Sequence, residues 1–208
     1  MNAARELHWD VVYREKTEAQ TSWYRAHLDE SLRLIDALVL PPDAPLLDVG
    51  GGRATLVDDL LARGFRDVTV LDLSVVALAE ARRRLGADAD KVCWIAGDVG
   101  ETELPAARYA LWHDRALFHF LIDAAERARY VAALARAVRT DGHALIATFA
   151  IDGAERCSGL PVRRYDEAGL AAEFAAAFEL IDASRHVHLT PAGREQPFTY
   201  AVLRRRAR

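Results

Sequence analysis

Cysteine is scarce: two residues in 208, Cys93 and Cys157. That excludes a disulfide framework, and no metal-ligand spacing links either one to other ligand residues, so no metal site is expected. Long apolar runs are absent too. None approaches the ~18 residues a membrane span requires, which argues against a membrane partner. The formal net charge is only −4, so binding to nucleic acid led by electrostatics is not expected. The basic end, Arg204-Arg205-Arg206-Ala207-Arg208, reads as a solvated tail. The first residues carry Arg5, Glu6, His8 and Asp10 in place of the apolar core of a secretory signal, so a cytoplasmic location is expected. There is no internal repeat, low-complexity segment or linker. With 51% hydrophobic residues, the chain is sized for one sizeable core.

The most informative stretch is Leu46-Leu47-Asp48-Val49-Gly50-Gly51-Gly52-Arg53-Ala54-Thr55-Leu56-Val57. Its apolar start reads as a buried parallel strand. Three glycines follow, and then Leu56, Val57, Leu60 and Leu61 at helical spacing, with Gly64 placed to end the helix. Strand, glycine turn and helix is how a doubly wound α/β sheet opens a nucleotide site. Glycine lets backbone approach a ligand closely, and the helix start offers free N–H groups to an anion. The dinucleotide pattern G-x-G-x-x-G fails here, because its third glycine would fall at Thr55. The frame D-x-G-x-G-x-A fits instead, through Asp48, Gly50, Gly52 and Ala54.

That frame resembles motif I of the class I S-adenosylmethionine (SAM)-dependent methyltransferases, with Ala54 where the family usually has a third glycine. The resemblance implies that Asp48 faces the methionine amino group and that Gly50, Gly51 and Gly52 let the backbone approach the cofactor. An NAD oxidoreductase is disfavoured by the glycine frame. A second, β-branched run lies within Asp67 to Ser74 and is closed by Asp72, 24 positions after Asp48. An acid there is placed to accept from a ribose diol, with Leu73 beside it, while Ser74 is a good N-cap for the next helix. A helix-capping role for Asp72 is the competing reading. The third strand, Lys91 to Ile95, leads to Asp98-Val99, which the family resemblance assigns to adenine. Cys93, in mid-strand, reads as a small buried hydrophobe.

Strand four, Tyr109 to Trp112, runs into His113-Asp114-Arg115-Ala116-Leu117-Phe118-His119-Phe120. The family places residues that meet both cofactor and acceptor here, so His113, Asp114, Arg115 and His119 are the catalytic candidates. An internal Asp114–Arg115 ion pair is the structural alternative. His119 ranks first as a general base, since an imidazole titrates near neutrality. His186 and His188 stand behind it as further candidates. This segment is not the Asn/Asp-Pro-Pro-Tyr/Phe motif of amino-directed DNA methyltransferases, which again argues against a nucleic-acid partner. Asp123 to Glu126 opens a helix, and strand five runs from His143 to Ile151. The loop from Asp152 to Tyr165 is expected to meet the acceptor through Cys157, Arg164 and Tyr165. A helix from Asp166 to about Ala176 precedes two antiparallel strands, Phe178–Leu189 and Phe198–Leu203.

Residues 1–40 form a leader ahead of the domain at 41–208, the two together making one compact unit. Its aromatic residues, Trp9, Tyr13, Trp23 and Tyr24, look like the leader of some small methyltransferases. The resemblance makes them a lid, with Tyr13 and Trp23 on the cofactor and Trp9 and Tyr24 on the acceptor. The expected fold is therefore α/β: a doubly wound, mostly parallel seven-stranded sheet with an antiparallel final strand. The expected activity is methyl transfer from SAM, leaving S-adenosylhomocysteine, to a nucleophilic atom of a small molecule. A protein (lysine-type) acceptor is the alternative. A non-catalytic SAM-binding module is the third class.

Overall fold

The computed structural model describes residues 2–207. Seven strands form one sheet: β1 (Leu46–Val49), β2 (Val68–Asp72), β3 (Val92–Ala96), β4 (Tyr109–Arg115), β5 (Val138–Phe149), β8 (Phe178–Leu189) and β9 (Glu195–Arg205). A separate two-stranded ribbon pairs β6 (Arg156–Cys157) with β7 (Leu160–Pro161). The sheet order is β3-β2-β1-β4-β5-β9-β8. β1, β2, β3, β4 and β5 pair in parallel, whereas β9 is antiparallel to both β5 and β8. β9 alone therefore runs against the sheet. The class I methyltransferase architecture expected from the sequence is the one observed.

Burial explains why these segments became strands. Every residue of β1 and β2 is buried, as a strand covered on both faces requires. Successive residues point to opposite faces. Leu46 packs with Leu32 and Ile35 of α2 (Asp29–Ala37) and Leu56 and Leu60 of α3 (Leu56–Ala62). Leu47 packs with Tyr130 and Leu134 of α5 (Ala124–Ala137) and Leu170 and Phe174 of α6 (Glu167–Phe174). β3 closes one edge of the sheet, and there the expectation for Cys93 is corrected: its thiol-bearing residue is exposed. β5 starts at Val138, five residues before the expected His143, because the end of α5 passes straight into extended backbone.

α1 (Asn2–Glu15) docks against α4 (Val75–Leu85). Ser74 caps α4, its hydroxyl oxygen accepting from the Ala77 N–H at 3.2 Å, and donates to Asp10 Oδ1 of α1 at 2.6 Å. Arg53, from the glycine turn, donates to the carbonyls of Tyr13 at 3.4 Å and Lys16 at 2.8 Å. The leader is thereby held over the carboxyl ends of the strands. Among the described residues no helix is long and apolar enough to cross a membrane.

Candidate active site

The site begins at the turn after β1. Gly50 has φ +67°, and a Cβ added there would stand 2.8 Å from Leu117 Cδ1; at Gly51 it would stand 2.5 Å from Asp48 Oδ2. Neither position has room for a side chain, which leaves bare backbone facing the cleft. The turn is clamped from α4, where the Arg84 guanidinium donates to the carbonyls of Arg53 at 2.7 Å and Ala54 at 2.8 Å.

Asp48 lies 2.7 Å from His113 Nδ1, and His113 Nε2 lies 2.9 Å from Ser31 Oγ. A carboxylate only accepts, so Nδ1 carries the proton toward Asp48. Ser31 has no exposure, so this Ser–His–Asp chain cannot act on a ligand as a nucleophile triad does. It orients Asp48 beneath the glycine turn.

Asp72 ends β2 and is 6% exposed. Its Oδ1 accepts from the Ser74 N–H at 2.7 Å. Burial pushes its carboxyl up to about 7, against the lowering effect of that hydrogen bond, and the Asp48 and Asp10 carboxylates push it further up. The same side chain lines the main cleft, so it faces open space while bonding the start of α4. Asp98 Oδ1 accepts from the Gly100 N–H at 2.7 Å. Asp98, Val99 and Leu73 all line the cleft.

The dense polar segment after β4 is taken apart by strand alternation. His113 goes to Asp48. Asp114 points to the opposite face with no exposure. It accepts from the N–H groups of Leu117 at 2.8 Å and Phe118 at 3.1 Å and from the Tyr130 hydroxyl at 2.6 Å. The expected orienting role for Asp114 is therefore corrected: it binds the core and does not line the cleft. Arg115 turns back into the cleft, donating to Tyr200 Oη at 3.2 Å and the Trp23 carbonyl at 3.1 Å, with no bond to Asp114.

His119 is a second correction. It has no exposure, packs against Phe120 and Phe149 at ring-centroid distances of 4.5 and 4.7 Å, and accepts from the Phe149 N–H at 3.3 Å. Burial, aided by the Arg115 charge, pushes its imidazole down to about 3. A neutral ring sealed behind Phe120 does not reach an acceptor. His186 and His188 are also outside the cleft lining. His188 is spent on the Ser22 carbonyl at 2.6 Å. Tyr165 bonds Glu173 at 3.0 Å, and Arg164 bonds the Gly153 carbonyl at 3.0 Å and Glu155. Neither of these two lines the cleft, whereas Cys157 does; burial raises its thiol to about 11.

The cleft holds a cavity of about 110 Å³ that opens to solvent. Trp9, Tyr13 and Trp23 roof it, with Trp9 5.9 Å from Trp23 and 5.1 Å from Phe120. A smaller recess joins it, lined by Asp48, Gly51, His113, Tyr24, Arg25 and Arg53. The two share Tyr13, Trp23, Gly50 and Arg115. Phe149, Gln196 and Phe198 also line the main cleft and were not singled out from sequence. The one signal for them was the strand pairing, which sets Phe149 opposite Phe198.

Residues 46–142 match the family model described as "Methyltransferase domain". Two of the solved structures with this fold cover nearly the whole chain. One, described as the conversion of a disulfide bond into a thioacetal group during echinomycin biosynthesis, is 21% identical over 97% of this chain and 93% of its own, with a TM-score of 0.79. The other is the Burkholderia thailandensis 1,6-didemethyltoxoflavin-N1-methyltransferase with bound 1,6-didemethyltoxoflavin and S-adenosylhomocysteine. It is 24% identical over 98% of this chain and 89% of its own, with a TM-score of 0.71. Among curated proteins, the Mus musculus eEF1A lysine and N-terminal methyltransferase is 21% identical over 108 residues. That is 52% of this chain but only 15% of the mouse protein.

The residues present fit SAM. A glycine turn with no space for a Cβ faces the cleft, and a buried carboxylate at the end of β2 lines it with acceptor capacity left over. The joined recess beside Asp48 gives a second compartment for a branched, polar-ended ligand.

Proposed function

We propose that the chain, whose residues 46–142 match a methyltransferase-domain model, is a class I, Rossmann-like SAM-dependent methyltransferase that methylates a nucleophilic atom of a small molecule. The observation that carries the proposal is the junction at Gly50 and Arg115. There the polar recess around Asp48 and the aromatic-roofed cleft meet beside the β1 turn. SAM supplies an activated methyl group, so the chain's task is in-line positioning of the acceptor. In this reading the Asp48 carboxylate, fixed by His113, receives the amino end of the cofactor. Asp72 accepts from the ribose diol, and Asp98 with Val99 holds the adenine edge. Gly50, Gly51 and Gly52 supply close backbone approach. Trp9, Tyr13 and Trp23 close over the ligands, Tyr24 contributes to the roof of the recess, and Cys157 packs at the acceptor end.

Two whole-fold neighbours support a small acceptor, since their descriptions name a disulfide of echinomycin biosynthesis and 1,6-didemethyltoxoflavin. A protein acceptor is the second reading, and the mouse relative is its support. The aromatic roof favours the first, because it leaves little width for a polypeptide.

Titration calorimetry tests the cofactor assignment. SAM and S-adenosylhomocysteine are expected to bind and NAD to give no heat; heat from NAD with none from SAM would overturn the reading. Hydrogen exchange tests the lid. Backbone amides around Trp9–Tyr13 and Thr21–Tyr24 are expected to gain protection when S-adenosylhomocysteine binds. Equal protection in the free and bound protein would reduce the leader to an anchored part of the core.

A further inference from the structure

The two sides of the cleft differ in charge. Asp72, at the end of β2, and Asp98, after β3, lie on one side of β1; Arg5 of α1 also lines the cleft and is paired with Glu126. On the other side, at the ends of β4, β5 and β9, the walls are Phe120, Phe149, Phe198, Cys157 and Gln196, with one charged group, Arg115. No carboxylate and no imidazole lines that side among the described residues. Neighbouring strands lie ~4.8 Å apart, so β2 and β4 stand about 10 Å from each other; the nearer carboxylate, Asp48 on β1, shares the joined recess with Arg115 but is engaged by His113 Nδ1 at 2.7 Å and forms no ion pair with the guanidinium.

Arg115 is held by neutral partners only. Tyr200 Oη and the Trp23 carbonyl accept from it, and its guanidinium lies 4.8 Å over the Phe198 ring. None of the ion pairs of the described residues includes it. Its charge is nevertheless felt around it: it helps to depress the imidazoles of His119 and His188 and favours the thiolate of Cys157. One pole of the Gln196 side chain, Oε1, is buried with no partner at the same wall, and an unpaired buried amide oxygen calls for a donor.

Resting on the methyl-transfer reading above, we infer that the acceptor enters as a planar, delocalised anion, a phenolate or a deprotonated heteroaromatic ring, paired with Arg115 and packed against the Phe120, Phe149 and Phe198 rings. A fixed cation in a low-dielectric wall attracts an anion and repels an ammonium. Aromatic side chains offer flat faces and edges that suit a ring better than a flexible chain. The proton accounting agrees. An acceptor that has already lost its proton gives its lone pair to the methyl carbon. The electron pair of the broken bond stays with the donor's sulfur, both products are neutral, and no base is needed. Gln196 meets a ring N–H or hydroxyl at the rim.

The test uses the full chain saturated with S-adenosylhomocysteine, with binding of that ligand first verified by calorimetry. The probe is 4-nitrophenol, whose absorption separates phenol from phenolate; lumazine is a second planar acid, and tryptamine is a planar cation of similar size. The bound nitrophenol is expected to ionise at least about tenfold more readily than in solution, a midpoint lower by one pH unit or more. Arg115→Lys should keep most of that displacement and Arg115→Met should abolish it, with Arg115→Gln as the replacement if the methionine variant does not fold. Tryptamine should not compete. Four results would each overturn the inference: nitrophenol bound as the neutral phenol, the same midpoint in wild type and in the charge-removing variant, displacement by tryptamine, or no binding of either planar acid at millimolar concentration. Failure of S-adenosylhomocysteine to bind would remove the methyl-transfer reading and this inference together. Its binding with an undisplaced nitrophenol midpoint removes this inference alone.

Discussion

Replacing Asp72 by alanine is expected to weaken SAM binding by between about 30-fold and several hundred-fold. Two vicinal hydroxyls on one buried carboxylate make two charge-assisted hydrogen bonds, together worth ~2–4 kcal/mol, at ~1.4 kcal/mol per tenfold in affinity. Asp72→Asn separates this role from capping. The amide keeps an oxygen for the Ser74 N–H, which now reaches Oδ1 at 2.7 Å, but loses the charge. A large affinity loss in both variants, with thermal unfolding close to wild type for the asparagine, is the expected pattern. Unchanged affinity in a folded variant would return Asp72 to the helix start alone. The pH dependence gives an independent check. In the free chain burial holds this carboxyl near 7, and the diol's donors select its ionised form. Affinity for SAM should therefore rise with pH, by up to about tenfold per unit, until near 7 and level off above. A flat affinity across that range would deny Asp72 direct contact with the ligand.

The strand ends that carry this reading were legible from the sequence because each is a local event. An apolar run closed by an acid, then glycine or a capping serine, places Asp48, Asp72 and Asp98 without any knowledge of distant contacts. The far wall of the cleft was not legible in the same way. Phe149, Gln196 and Phe198 come together only through the antiparallel β5–β9 pairing, and no local pattern announces it. The segment from His113 to Phe120 misled for another reason. Four polar residues close in sequence suggest one site, yet alternation along β4 sends His113 and Arg115 one way and Asp114 the other. His119 then falls in a 3-10 turn, Phe118–Phe120, that tucks its ring behind Phe149. Cys93 failed because burial of a mid-strand residue depends on whether the strand is central, and β3 is an edge. Arg53, in the glycine turn, gave no local sign that it would bind the leader's backbone.

Asp114 carries the largest expected stability effect. Its carboxylate collects the Leu117 and Phe118 N–H groups and the Tyr130 hydroxyl, and the Tyr130 oxygen accepts in turn from Trp112 Nε1 at 2.8 Å. This network bolts the turn after β4 to α5, beneath the wall that Leu117 and Phe120 present to the cleft. Asp114→Ala leaves those buried donors unpaired and opens a cavity, so it should cost about 3–5 kcal/mol in urea unfolding. Asp114→Asn should show a pH signature as well. Burial raises the wild-type carboxyl from 3.8 to about 6, against the pull of its donors. A group whose folded value is raised favours the fold below its unfolded value, and that contribution is lost as pH climbs through the folded one. From 3.8 to about 6 the loss approaches 3 kcal/mol, at ~1.4 kcal/mol per pH unit. The amide does not titrate, so the cost of the asparagine should be greatest near pH 4 and shrink by about that amount by pH 7. Where the variant remains folded, its SAM affinity should stay within a few-fold of wild type. A pH-independent cost, or a stable Asp114→Ala protein whose only defect is turnover, would move Asp114 from the core back to the chemistry.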